Sequence, residues 1–150
     1  DCADTPVRLA ACLQALRQVT AGRVLCVYSA SDELPANERP LLGRVAEQAA
    51  DIGIITNSSL NCEPSLRVAH DILDGYERPA KAHTIPGRIN AIQWALSKAR
   101  PGDSLLIAGG SRTGWLGEDT QGTDDYELAR NWLYESGDNP GPRILTGAFG

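Results

Sequence analysis

A mostly parallel α/β sheet, covered by helices on both faces, is predicted by three features of this chain. The apolar runs Arg23–Tyr28, Ile52–Thr56 and Ser104–Ala108 do not alternate with polar residues, as expected of strands buried on both sides. Amphipathic helical patterns separate them, which is the signature of strand–helix–strand units. Each run also ends in small polar residues: Ser29-Ala30-Ser31-Asp32, Asn57-Ser58-Ser59 and Gly109-Gly110-Ser111-Arg112-Thr113-Gly114. Open sheets of this class bind ligands at the carboxyl ends of their strands. The expectation is a Rossmann-like three-layer sandwich with about five or six strands.

The elements follow in order. Thr5-Pro6 is a helix start, with threonine as cap and proline in the first turn, and Leu9, Leu13, Leu16 and Val19 recur at helical spacing before Gly22. After the Val24 strand, Asn37-Glu38-Arg39-Pro40 opens a helix whose inner face reads Leu41, Leu42, Val45, Ala46 and Ala49. The Ile52 strand precedes a helix from Pro64, with Leu66, Ala69, Ile72 and Leu73 inward. Lys81–Ile85 reads as a short strand, and Pro86-Gly87 opens a helix carrying Ile89, Ile92, Ala95, Leu96 and Ala99. Thr123 would cap the final helix, placing Asp124 and Asp125 at the positive end of its dipole. Residues 1–136 are expected to form the domain and residues 137–150 a tail, in which Arg143–Thr146 can add an edge strand.

Composition excludes several classes. The 150 residues suit one domain, and their net charge of -5 with no basic stripe argues against a nucleic-acid surface. No run of about 18 apolar residues suggests a membrane span. No basic, then apolar opening marks a secretory signal. Cys2, Cys12, Cys26 and Cys62 form no CxxC pair and read as reduced thiols, which fits a cytoplasmic protein. His70 and His83 fall in separate elements, and spacing nominates neither as a catalytic base.

Neither G-x-x-x-x-G-K-[ST] nor a G-x-G-x-x-G after the first strand occurs, so a nucleotide lacks its usual cradle. The glycine-rich Gly109–Gly114 segment can hold an anion on backbone N–H groups and Arg112, although such a segment also serves simply as a turn. Asp124 and Asp125 suit metal ligation or a base, although helix capping already explains them. Trp94 and Trp132 are expected to pack from helices, whereas Trp115 follows the glycine segment and can cover a ligand or a neighbouring domain.

The order of these pieces resembles the C-terminal domain of Mur ligases, in the UDP-N-acetylmuramoyl-tripeptide synthetase branch, over about residues 1–135. Asp1-Cys2-Ala3-Asp4-Thr5-Pro6 stands at the family's D-Y-A-H-T-P, and Glu38-Arg39-Pro40-Leu41-Leu42-Gly43 at K-R-P-L-M-G. Ala99–Asp103 followed by Leu106–Gly109 is similar to A-R-P-G-D…L-I-A-G-K-G-H-E, and Asp124-Asp125 to the D-D before the last helix. The resemblance implies an ATP-dependent ligase that adds an amino acid to a UDP-linked muramoyl peptide through an acyl phosphate. It also implies N-terminal and central domains upstream, with the P-loop, ATP and Mg²⁺ on the latter. None of these cofactors is expected on this chain alone. Nucleotide contact falls on Asp1, Asp4 and Arg39; substrate or anion contact falls on Asn57, Ser58, Gly109, Gly110, Ser111 and Arg112.

The chain departs from the family where substrate charge is read. The G-x-G-G-D-R-D stretch is Ser29-Ala30-Ser31-Asp32-Glu33-Leu34-Pro35 here. The D-N-P-R motif that recognises diaminopimelate is Asn57-Ser58-Ser59-Leu60, and G-K-G-H-E is Gly109–Thr113 without its lysine, histidine and glutamate. Leu34, Leu60 and Thr113 are thus expected in the pocket wall, where a zwitterion would lack its counter-charges. Either the ligase takes another substrate or the domain has lost the reaction. The alternative is a non-catalytic binding or partner-interaction module on the same sheet.

Overall fold

The computed structural model describes residues 3, 5–31, 33–56, 66–109, 125–135 and 142–146. Five strands, β1 (Val24–Tyr28), β2 (Ile52–Ile55), β3 (Ala82–Thr84), β4 (Ser104–Ile107) and β5 (Arg143–Thr146), form one sheet in the order β3-β2-β1-β4-β5. Every neighbouring pair is parallel, with Cys26 registered against Gly53 on one side and Leu106 on the other. The expected sandwich is therefore found, with β5 at one edge.

The two faces bury separate clusters. Val24, Cys26, Tyr28, Ile55 and Leu106 point to one side, under α1 (Pro6–Val19), α2 (Arg39–Ala49) and α3 (Leu66–Leu73). Leu25, Val27, Ile54, Leu105 and Ile107 point to the other, under α4 (Arg88–Lys98) and α5 (Asp125–Glu135). The period-two direction of strand side chains feeds both layers from one apolar run, which is why β1 is buried throughout. Thr5 caps α1 by accepting the Arg8 N–H at 3.4 Å, and Pro6 follows in the first turn, as its sequence predicts.

Several inward positions differ from expectation by one step of helical phase. Val19, Leu41, Leu66 and Ile89 are exposed. In α4 the buried stripe is Arg88, Ala91, Ile92, Ala95 and Leu96, a regular i, i+3, i+4, i+7, i+8 set whose first member is charged. A reading that starts the stripe on the nearest apolar residue, Ile89, is displaced onto solvent. Val19 and Leu66 are the last and first residues of their helices, where the packed face has run out. Lys81 belongs to a 3₁₀ turn (Pro79–Lys81) before β3 rather than to the strand itself. The expected cap Thr123 lies outside the described residues, and α5 begins at Asp125.

Among the described residues no helix is long and apolar enough to cross a membrane. Cys26 is fully buried in β1, and burial pushes its thiol far above the ordinary range; Cys12 is half-buried on α1. Cys2 and Cys62 lie outside the described residues. Trp94 is half-buried on α4, stacked at 4.6 Å against exposed His83 with the Lys98 ammonium 5.7 Å from its ring, and Trp132 packs partly into the second cluster. His70 is exposed on α3, and Trp115 lies outside the described residues.

Candidate functional site: the carboxyl rim of the sheet

The strands β1, β2 and β4 deliver Ser29, Thr56 and Ala108-Gly109 to one rim. The ladder continues one step beyond the strands there. The Ala108 N–H donates to the Val27 carbonyl at 2.8 Å, and the Thr56 N–H donates to the Tyr28 carbonyl at 3.0 Å. The Ser29 hydroxyl donates to the Gly109 carbonyl at 2.6 Å. Gly109 has φ +70°, and a Cβ on it would stand 2.5 Å from the Ser29 carbonyl oxygen, so only glycine fits this crossing. The chain thus leaves β4 across the end of β1 at van der Waals contact, the close backbone approach that a ligand-binding turn needs.

The two ends of the sheet are polar in different ways. At the amino end, Asp103 accepts from the Arg23 N–H at 2.8 Å, the Arg100 N–H at 2.9 Å and the Arg23 guanidinium at 2.7 Å. Asp51 accepts from the Val24 N–H at 2.8 Å and from Arg17 at 2.7 Å. Burial pushes both carboxyls up, yet these hydrogen bonds and neighbouring cations outweigh it and hold both below the usual range. A polar cleft of about 360 Å³ near that end, with Arg17, Glu47, Asp51 and Arg78 in its wall, is likewise crossed by ion pairs.

The carboxyl rim instead holds an orphan. Among the described residues the Thr56 hydroxyl is buried with no hydrogen-bond partner. Buried polar atoms are satisfied in the great majority of cases, so this hydroxyl stands out at the strand's carboxyl end.

Arg39, assigned to nucleotide contact by resemblance, is mostly buried at the start of α2. One of its terminal nitrogens donates to Asp71 of α3 at 2.9 Å, while Nε is buried without a partner among the described residues. Its observed work is therefore to clamp α2 to α3. Leu34, expected in a pocket wall, packs instead into the core cluster beneath α1–α3, because its side chain turns in toward apolar neighbours. Of the other expected site residues, Gly109 is placed at the rim. Asp1, Asp4, Asn57, Ser58, Gly110, Ser111, Arg112 and Asp124 lie outside the described residues, as do Leu60 and Thr113.

One residue was missed. Arg88, 6% exposed, sends Nε to both oxygens of Asp125 at 3.0 and 3.1 Å and Nη2 to one of them at 2.7 Å, while both Nη atoms reach the Ala108 carbonyl at 3.3 Å. The available signal was a cation in the first turn of a helix, where the dipole disfavours it and an anionic partner must compensate. Asp125 supplies that partner from the first turn of α5.

These features define an α/β domain whose amino-end carboxylates are paired and whose carboxyl end carries Ser29, Thr56 and Gly109. The chain belongs to the Mur ligase family: the model for the Mur ligase, glutamate ligase domain, matches residues 1–111. It is 35% identical over 136 residues to a UDP-N-acetylmuramoyl-L-alanyl-D-glutamate--2,6-diaminopimelate ligase of Prochlorococcus marinus, covering 89% of this chain and 27% of that protein. The protein of the same name from Synechocystis is 33% identical over 135 residues, with the same two coverages. A solved structure of a ligase of that name superposes with a TM-score of 0.76 at 23% identity, covering 93% of this chain and 29% of that one. The chain thus spans about a quarter of the length of the curated relatives it matches. The resemblance read from the sequence is borne out, in family and in branch.

Proposed function

We propose that this chain is the substrate-side domain of an ATP-dependent Mur-type amide ligase whose incoming substrate is not diaminopimelate. The observation that carries this reading is the rim, where Thr56 has a buried hydroxyl without a partner among the described residues and Ser29 and Gly109 meet at contact distance. Relatives named as diaminopimelate ligases support the reaction class. Against diaminopimelate stands the replacement of D-N-P-R by Asn57-Ser58-Ser59-Leu60, which removes the arginine that would meet a substrate carboxylate. An uncompensated charge in such a site costs several kcal/mol.

In this proposal the chain's own residues contact the nucleotide without cradling its phosphates, and they hold no metal ion. Its sequence has no P-loop, and no group of three His, Cys, Asp or Glu residues among the described ones could hold a metal ion. In this proposal ATP, Mg²⁺ and the UDP-linked muramoyl peptide are held by N-terminal and central domains, in the cytoplasm. Asp1, Asp4 and Arg39 face the nucleotide, and Asn57, Ser58, Gly109, Gly110, Ser111 and Arg112 face the incoming substrate or an anion. These residues bind and orient; the phosphoryl chemistry lies elsewhere.

Calorimetric titration tests the reading. Inorganic phosphate is expected to bind, and Arg112→Ala to weaken it about tenfold or more, the equivalent of one charge-assisted hydrogen bond. Diaminopimelate is expected to show no binding, and Leu60→Arg alone not to restore it. Tight diaminopimelate binding, or phosphate binding indifferent to Arg112, overturns the proposal. The loss of lysine, histidine and glutamate from the glycine segment favours a second reading, a non-catalytic module. A ligase assay on the chain joined to its upstream domains separates the two.

A further inference from the structure

Arg88 sits where electrostatics alone would not put it. It opens α4, at the partially positive end of the helix, and its guanidinium is removed from water. A buried cation is tolerated only with fixed partners. Among the described residues it has two, and they belong to different parts of the fold. Asp125 begins α5, and Ala108 is the residue after β4. Ala108 is bonded covalently to Gly109, whose carbonyl accepts the Ser29 hydroxyl. An unbroken path therefore runs from the first turn of α5, through one guanidinium, to the backbone crossing at the rim.

We propose that Arg88 is a positioning residue that ties α5 to the rim backbone, so that displacing Asp125 is felt at Gly109 and an anion bound at the rim is sensed by α5. The part about the anion rests on the rim being the binding end, as proposed above; the mechanical link does not. The planar guanidinium can serve a carboxylate and a carbonyl together because its five donors lie in one fork. A lysine ammonium, a point charge on a flexible stem, cannot hold both in that geometry. Asp125 is accordingly an anchor for Arg88 rather than a ligand of substrate or metal.

Backbone amide NMR of the ¹⁵N-labelled chain tests this with Asp125→Ala, Arg88→Met and the double variant, and Arg88→Lys takes the place of Arg88→Met should that variant fail to fold. Asp125→Ala is expected to shift the Ala108 and Gly109 amides. The same substitution in the Arg88 variant is expected to shift them roughly threefold less, as for residues acting through one another. Equal shifts in both backgrounds overturn the proposal. Inorganic phosphate is then titrated below the melting temperature of each variant. Either single substitution is expected to weaken it about fivefold, a coupling of ordinary size, and the pair no further. Variants that melt earlier but bind phosphate as the wild type does overturn the coupling and leave a merely structural ion pair. Absence of phosphate binding to the wild type, with the amide coupling intact, refutes the anion reading of the rim and leaves the mechanical link standing.

Discussion

Tyr28 and Tyr76 meet hydroxyl to hydroxyl at 2.7 Å inside the core, one from β1 and the other from the segment after α3. Gly53 of β2 makes the room: a Cβ there would stand 2.3 Å from the Tyr76 oxygen. Each phenol is the other's hydrogen-bond partner, so the sheet and the α2–α3 layer are joined by a contact that neither side can replace with water.

Removing one hydroxyl strands the other. Tyr28→Phe and Tyr76→Phe are each expected to cost about 1–3 kcal/mol in chemical denaturation, the penalty of a buried unsatisfied group. The double variant is expected to cost clearly less than the sum. Strict additivity would show that the two hydroxyls do not depend on one another.

Gly53→Ala is expected to lower stability by about 1–3 kcal/mol through overpacking against Tyr76. Adding Tyr76→Phe removes the atom that the new methyl meets, so the double variant should melt above Gly53→Ala alone. A melting temperature for Gly53→Ala equal to the wild type would show that the methyl is accommodated.

Burial outweighs the opposing Tyr28 hydrogen bond and pushes the Tyr76 phenol up to about 12; burial raises Tyr28 as well. The folded value lies above the unfolded one of about 10, so the neutral form is favoured in the fold. Its contribution is whole below pH of about 10 and is lost as pH rises toward 12. Alkaline unfolding curves should therefore steepen across that window, and less so in the double Phe variant.

At low pH the sign reverses. The folded carboxyls of Asp51 and Asp103 lie below their unfolded values, because the hydrogen bonds from Val24, Arg17, Arg23 and Arg100 outweigh burial. Their stabilisation is present above the unfolded carboxyl value of about 4 and is lost as pH falls through the depressed folded values. Asp103→Asn, which turns an amide against Arg23, is expected to cost about 2 kcal/mol or more at neutral pH and to flatten the acid limb. A melting temperature for this variant that falls with acid as steeply as the wild type's would assign acid unfolding to other groups.

Sequence reasoning reached the rim through its strands but not through its partners. Ser29 and Gly109 are visible as the small residues that follow two apolar runs, and their contact follows once β1 and β4 are neighbours. Arg88 was passed over because periodicity counts apolar residues, and a charged residue that starts a buried stripe is invisible to it. Leu34 was misplaced for the converse reason. A motif position gave it a wall to line, whereas its burial among Leu42, Ala46 and their neighbours depends on how the loop after β1 turns.

The sequence by itself determined the elements, the parallel sheet and the Mur ligase family. Those properties are written locally, in apolar runs, caps, glycines and ordered motifs, and short-range physics suffices to read them. Tertiary structure alone decided which helix faces are buried, which end of the sheet is saturated, and which charges meet. Arg88 and Asp125 are 37 positions apart, Tyr28 and Tyr76 are 48, and Ser29 and Gly109 are 80. No period or spacing links such pairs; they become neighbours only when strands 27 to 80 residues apart are laid side by side in one sheet, as Cys26 is against Gly53 and Leu106.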